Sequence, residues 1–250
     1  MTEISTQHLA ALPNIEALQR LCKSLATLDA IICREWENRY YSYSNAWDTS
    51  KQEECFQMRN GSGDEFQVLF SLHGSIINGQ AHESEMCNWS EKKIHPITFK
   101  EKVSNFFGHE KIVMEQQIWE GVIDTIPNEF KEFILGEPVK SIGTTFCIWR
   151  KVEDKTWHIG AIKFPKSLYN DGSADLLYIF DGKPTTYWEW ATEYYEEQFD
   201  GYQLELELVK HIYDLKPLTK EVVVQLNPSI DDFEQLKTDL SKIGYAYIDL

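Results

Sequence analysis

The first strong hydrophobic pattern in the chain predicts an amphipathic helix near the N-terminus. Apolar residues recur at steps of three and four, which places them on one helical face. These residues are Ile15, Leu18, Leu21, Cys22, Leu25 and Leu28. Pro13 and Asn14 precede them as helix-start signals.

The next segments predict β-structure with one short helix between. NRYYSYSNAW, residues 38–47, has aromatic residues at β-like spacing, and KQEECFQM after it predicts a short helix. Phe66–Leu72 and Ser75–Gly79 predict a hairpin that turns at His73-Gly74.

The segment before this hairpin contains a glycine pattern that resembles a nucleotide-binding motif. MRNGSGDEF, residues 58–66, spaces two glycines as in a dinucleotide-binding loop, but a phenylalanine replaces the third glycine and a strand follows. We therefore interpret it as a turn.

Helices and strands are predicted in separate blocks of the remaining chain. Residues 83–98 predict a loop, and a helix is expected near Phe99–Phe107 and another after Pro127, in NEFKEFIL. Three strands are predicted over residues 144–150, 156–162 and 176–180. Helical patterns then continue to the C-terminus, with Thr219 as one N-cap and with capping boxes at Thr186/Glu189 and Ser229/Asp232.

This order of elements predicts an α+β fold. Its core would be an antiparallel or mixed sheet, with an N-terminal helix and a helical C-terminal third. We expect a single globular domain over residues 1–250. The alternative is a subdivision near residue 183, which would make residues 184–250 a helical subdomain.

The net charge of the chain restricts the kinds of macromolecule that we expect it to bind. The chain has 40 acidic against 24 basic residues, a formal net charge of −16. Such a field repels nucleic acids and anionic membranes and attracts basic proteins.

The N-terminus has neither the basic nor the apolar region of a signal peptide, and no apolar run approaches about 18 residues. The five cysteines show no CxxC spacing and predict reduced thiols in a cytoplasmic protein.

Local motifs for catalysis or metal binding are incomplete. His82-Glu83 begins an H-E-x-x-H pattern, but Met86 replaces its second histidine. There is no G-x-S-x-G nucleophile motif, and Cys147 lies within an apolar run that predicts burial. We therefore predict no catalytic residue, no metal and no cofactor from local spacing.

An acidic and aromatic stretch, Asp171–Asp214, is the best functional candidate. In YWEWATEYYEE, helical spacing predicts that Tyr187, Trp190, Ala191 and Tyr194 face inward. Glu189, Glu193, Glu196 and Glu197 would then face solvent together, with Trp188 or Tyr195 providing aromatic contacts to a basic protein. The alternative is an ordinary solvated helix face.

Two other functional hypotheses come from different classes. The first is an enzyme whose site is assembled from distant loops around Arg59, Asp64, His82 and Glu83. It predicts a pocket where these side chains converge and at least one shifted pKa. The second is a small-ligand binding domain with Trp and Tyr side chains lining a cavity.

A short segment resembles a known family. WEGVIDTIPNEFKEFI resembles a signature of bacterial toxin-immunity proteins related to fungal cell-wall-assembly regulators, with matching positions Trp119, Ile126, Pro127, Phe130 and Phe133. The chain also resembles bacterial proteins known only as uncharacterised. The signature covers about 20 residues, and the resemblance implies an α+β fold and a non-catalytic role in binding and silencing a toxin. We therefore favour an acidic interaction protein of the immunity or antitoxin type over an enzyme.

Overall fold

The computed structural model describes residues 3–94, 111–166, 171–199 and 201–250. Its architecture is α+β, as predicted, with an antiparallel sheet, an N-terminal helix and a helical C-terminal part. The strands of the main sheet are β1 (Tyr41–Asp48), β2 (Glu53–Arg59), β3 (Glu65–Ser71), β4 (Gly74–Gln80) and β7 (Phe146–Lys151), in that spatial order. A separate antiparallel pair consists of β5 (Trp89–Ile94) and β6 (Lys111–Gln116).

Helices cover the sheet and form most of the C-terminal part. They are α1 (Ile15–Ile32), α2 (Asn128–Leu135), α3 (Val139–Ile142), α4 (Ser173–Leu177), α5 (Pro184–Tyr194), α6 (Leu206–Tyr213), α7 (Lys220–Leu226) and α8 (Phe233–Ile243). Single turns of 3₁₀ helix occur at Leu9–Ala11, Trp36–Asn38, Tyr178–Asp181 and Glu196–Phe199. Two short parallel strands, β8 (Leu218–Thr219) and β9 (Tyr247–Ile248), pair near the C-terminus. No helix in these ranges is long and apolar enough to cross a membrane.

The two faces of the sheet contact different hydrophobic clusters. Because strand side chains alternate between faces, Phe66, Val68 and Phe70 of β3 join a large cluster with α1 and the C-terminal helices. Leu69 points the other way, into a smaller cluster with Phe130 and Ile134 of α2. The larger cluster includes core residues from both sides of residue 184.

Gly79 is required by the packing of β4 against β7. A Cβ atom built on Gly79 would lie 1.9 Å from Cζ of Phe146, whose ring covers the glycine backbone. Phe146 is itself fully buried and pairs with Gly79 in the register of the two strands. A side chain at position 79 would therefore displace a core aromatic ring.

Several predicted elements are confirmed. α1 begins after Asn14, whose side chain accepts a hydrogen bond from the Ala17 amide, and α7 begins after Thr219 in the same way. The predicted β1 and the β3–β4 hairpin are present, but the hairpin turns at Leu72-His73 and Gly74 already belongs to β4. The segment between β2 and β3 is a turn in which Gly61 and Gly63 adopt positive φ.

Other predictions are wrong. KQEECFQM is not helical but enters β2, where Phe56 and Met58 alternate into the core. Residues 176–180 are helical rather than extended, and residues 156–162 contribute only one isolated bridge, between Trp149 and His158. Residues 89–94, predicted as loop, form β5. The helix predicted near Phe99–Phe107 lies outside the described residues.

Both predicted capping boxes are also wrong. α5 begins at Pro184, and the Thr186 hydroxyl donates to Asp181 instead of capping the helix. In α8 the N-cap is Asp232 itself, which accepts a hydrogen bond from the Gln235 amide, so Ser229 has no capping role.

Candidate functional site

The four glutamates of the predicted surface are all exposed. Glu189 and Glu193 lie on α5, and Glu196 and Glu197 lie in the 3₁₀ turn that follows it; all four are exposed. Glu189 and Glu193 are one helical turn apart and share a side of α5, whereas Glu196 and Glu197 follow its end. Within the described parts of the chain, none of them has an ion pair, so their charge is directed to solvent.

Three aromatic rings lie beside these glutamates. Trp190 and Tyr194 stack with centroids 5.0 Å apart and an interplanar angle of 20°. Tyr40, which precedes β1, contacts both rings at centroid distances of 4.7 and 5.0 Å. Tyr194 is 44% exposed, while the other two rings are half-buried. We call the four glutamates together with Tyr40, Trp190 and Tyr194 the acidic–aromatic patch.

The two aromatic residues predicted to contact a partner occupy other places. Tyr195 is 1% exposed, so it lies in the core and not on the patch. Trp188 is half-buried, and its Nε1 donates to the Leu204 carbonyl at 2.7 Å, which ties it to the chain before α6. Tyr194, predicted to face inward, is instead the exposed ring. The cause is the end of α5 at Tyr194, after which Tyr195 leaves helical geometry and turns into the core.

A buried carboxylate holds this region of the patch in place. Asp29 of α1 is fully buried and accepts hydrogen bonds from the Tyr41 amide, the Tyr187 hydroxyl and the Tyr195 hydroxyl at 2.7–2.8 Å. The Tyr195 hydroxyl also receives the Tyr40 amide at 3.3 Å. Asp29 therefore connects α1 to both segments that carry the aromatic rings.

Burial determines the protonation of this carboxyl. Loss of water raises the pKa of Asp29 from 3.8 to about 6, although the three hydrogen bonds and the charge of Arg39 act in the opposite direction. Arg39 is also buried and pairs with Asp239 of α8 at 2.7 Å. Asp29 was not among the predicted site residues. The sequence signal was an acid among Leu28, Ala30 and Ile31 on an apolar helix, a position that requires hydrogen-bond donors.

Three of the four residues of the predicted alternative pocket come together. Nδ1 of His82 lies 2.7 Å from Oδ1 of Asp64, and Nε2 lies 3.0 Å from Oε1 of Glu83. The hydrogen bond with Asp64 is the largest cause that raises the pKa of His82. Their location is an exposed turn, since the His82 side chain is 40% and the Glu83 side chain 82% exposed.

Arg59 does not join that group. Its guanidinium lies 4.3 Å from the ring centroid of Trp36 and donates to the Trp36 carbonyl. It lines a cleft of about 390 Å³ that also contains Asn60, Tyr194 and Glu197. Arg59 thus borders the acidic–aromatic patch rather than the turn of His82.

The cysteines do not form an exposed nucleophilic site. Cys22, Cys33, Cys55 and Cys147 are buried, and burial raises the pKa of each thiol. Cys87 is half-buried and its Sγ accepts a hydrogen bond from Gln80. In the ranges that the structure describes, no group of three or more His, Cys, Asp or Glu side chains is placed to hold a metal ion.

Comparison with known proteins does not narrow the possible functions of the chain. No family model, no curated protein and no solved structure matches the chain.

Proposed function

We propose that this protein is a non-enzymatic interaction protein that binds a basic protein partner through the acidic–aromatic patch. One observation supports the proposal above the others. Four exposed glutamates, none with an ion pair in the described residues, lie in the same segment as an aromatic stack whose outer ring, Tyr194, is 44% exposed. Tyrosine and tryptophan are the aromatic types enriched at binding hot spots, and unpaired carboxylates accelerate encounter with a positive surface.

The geometry of the patch favours lysine or arginine side chains on the partner. A cation can lie over the open face of Tyr194 while Glu193 or Glu197 accepts its hydrogen bonds. Tyr178 extends the aromatic surface: it is 37% exposed, and burial followed by the charge of Glu193 raises its pKa to about 12. The phenol therefore stays neutral at physiological pH and adds no charge of its own.

Binding is favoured over catalysis at the turn of His82. Both ring nitrogens of this histidine face carboxylates, and this arrangement stabilises the doubly protonated imidazolium. An imidazolium with both N–H groups engaged is not a general base. The separation of Arg59 from Asp64 and His82 removes the cation that the enzyme hypothesis included.

The family resemblance supports one specific form of this proposal, in which the protein acts as an immunity protein or antitoxin. In such a role the patch would cover the basic surface of a toxin. The residues of the resemblance lie elsewhere: Ile126 and Phe130 are buried in the smaller hydrophobic cluster, and Trp119 donates to the Lys163 carbonyl. They would therefore stabilise the fold and would not contact the partner directly.

The test begins with capture of host proteins on the immobilised chain at low salt and elution at high salt. The affinity of the identified basic protein is then measured for a variant with Glu189, Glu193, Glu196 and Glu197 all changed to Gln. The matched control changes four other exposed acids without ion pairs in the described residues: Glu85→Gln, Glu91→Gln, Asp124→Asn and Asp175→Asn. We expect the patch variant to lose about tenfold or more in affinity and the control to lose little. Equal losses would contradict a role for this patch.

A further inference from the structure

A second concave surface lies at the other end of the sheet. It is a groove of about 840 Å³ between three segments: the turn that joins β1 to β2, the turn that joins β3 to β4, and α2 with the residues after it. β1 runs from the acidic–aromatic patch at Tyr41 to this groove at Asp48. At about 3.3 Å per residue, the two surfaces are roughly 20 Å apart. We call this surface the acid-lined groove.

The charge of the acid-lined groove is only partly neutralised. Lys51 lies between two carboxylates, 2.7 Å from Glu132 and 3.5 Å from Asp48, and so joins the β1–β2 turn to α2. Three further glutamates line the groove without a paired lysine or arginine among the described residues. These are Glu53, Glu129 and Glu137.

Glu53 is the most informative of these acids. It is half-buried at the start of β2, and no side-chain hydrogen bond or ion pair satisfies it within the described ranges. Loss of water is the largest cause that raises its pKa; the charge of Lys51 lowers it, and the charges of Asp48 and Glu132 raise it further. A further cation placed in the groove would stabilise the charged carboxylate of Glu53.

Apolar side chains lie next to these carboxylates. Three residues of β1, Asn45–Trp47, face the single residue Glu54 of β2, and such a bulge redirects side chains. Trp47 is 39% exposed and its ring meets Phe133 of α2 edge-on at a centroid distance of 6.5 Å. Leu72, at the tip of the β3–β4 turn, is 64% exposed. Trp47 and Leu72 thus leave apolar surface in solvent beside the carboxylates of the same groove.

We propose that the acid-lined groove is a second protein-binding site, which accepts a segment that alternates basic and apolar side chains. The basic side chains pair with Glu53, Glu129 and Glu137. The apolar side chains cover Trp47, Leu72 and Phe133. This site is independent of the acidic–aromatic patch, because the two surfaces share no residue.

The test uses ¹⁵N-labelled full-length protein and a capped hexapeptide of alternating lysine and leucine as the probe. We expect chemical-shift changes at residues 48–53, 71–73 and 128–137, with little change at residues 189–197. Glu53→Gln and Trp47→Ala are each expected to weaken binding about three- to tenfold. The charge-matched control Asp175→Asn should bind as the wild type does, and the spectrum of each free variant establishes that it is folded.

Two further probes separate this proposal from its alternatives. A lysine–serine hexapeptide and spermidine carry charge without apolar side chains, and we expect both to bind at least tenfold more weakly. Equal binding of spermidine would show a general cation-attracting surface and would overturn the proposal. The proposal is also overturned if the lysine–leucine peptide shifts residues 189–197 instead, or if Glu53→Gln leaves its affinity unchanged. The first and third of these results do not bear on the basic partner proposed for the patch, whereas peptide binding at residues 189–197 would agree with that proposal.

Discussion

The hydroxyl of Tyr195 donates a 2.8 Å hydrogen bond to Oδ2 of Asp29 and fixes the end of α5 against the last turn of α1. The same hydroxyl receives the Tyr40 amide, so one buried contact positions both the glutamate-bearing segment and the first aromatic ring of the patch. The surface proposed to bind a partner is therefore supported by a carboxylate that never reaches solvent. Its stability depends on the protonation of that carboxylate.

We predict that Asp29 makes stability fall as pH rises from about 4 to about 6. Its pKa is raised in the folded protein from 3.8 to about 6, so the folded state holds the proton more tightly. The favourable contribution is complete below pH 3.8 and is lost as pH rises through 6, by roughly 3 kcal/mol. Asp29→Asn should remove this slope. Chemical denaturation across this pH range tests it, with exposed Asp175→Asn as the control. A slope in Asp29→Asn equal to that of the wild type would exclude Asp29 as its source.

Removal of the Tyr195 hydroxyl should destabilise the protein, whereas removal of the adjacent one should not. Tyr195→Phe deletes a hydrogen bond to a buried carboxylate, which is expected to cost about 1–3 kcal/mol. Tyr194→Phe changes a hydroxyl on an exposed ring and should lie within about 0.5 kcal/mol of the wild type. Urea denaturation of both variants at pH 7 measures the difference. Similar effects of the two substitutions would contradict the role given to Tyr195.

His82 should titrate above its ordinary pKa of 6.5, because Asp64 stabilises the imidazolium. For a group whose folded pKa is raised, the stabilising contribution is complete below the unfolded pKa and is lost as pH rises through the folded pKa. NMR titration of the His82 ring should show its pKa shifting downward in Asp64→Asn. The exposed variant Asp124→Asn should leave the titration unchanged. An unaltered pKa in Asp64→Asn would rule out this pair as the cause.

Gly79→Ala should destabilise the protein by about 1–3 kcal/mol, because the new methyl group would overlap the Phe146 ring. A smaller residue at position 146 should partly relieve this overlap. The double variant Gly79→Ala/Phe146→Leu should therefore lose less stability than the sum of the two single variants. Thermal denaturation of the four proteins measures this coupling. Strict additivity would show that the two positions do not compete for the same space.

The sequence predicted the parts of this fold that have long periodic patterns. Eighteen residues of α1 repeat the apolar spacing often enough to exclude a strand, and the β3–β4 hairpin has two apolar runs close together, although its turn lies one residue before the predicted His73-Gly74. Short apolar runs do not distinguish a strand from a helix. Residues 176–180 fit either a strand or a buried helix, and tertiary packing placed them in α4 and the 3₁₀ turn after it.

The sequence predicted the acidic residues of the candidate site but not which of its aromatic rings are exposed. Helical spacing correctly placed Glu189 and Glu193 on the exposed side of α5, and Glu196 and Glu197 are exposed in the turn after it. It was not sufficient for Tyr194 and Tyr195, because the helix ends between them and Tyr195 is held in the core by Asp29, more than 160 residues away in the chain. The acid-lined groove was missed for a similar reason: it joins turns of the first β-unit to a helix that begins at residue 128.

The salt dependence of partner binding distinguishes the acidic–aromatic patch from the rest of the acidic surface. The affinity of the captured basic protein is measured from low to high salt for the wild type, for the variant with the four patch glutamates changed to Gln, and for the matched four-acid control. We predict that the wild type and the control lose affinity steeply as salt rises, whereas the patch variant shows a clearly shallower slope. Three parallel slopes would contradict the proposal that this protein recognises its partner through the acidic–aromatic patch.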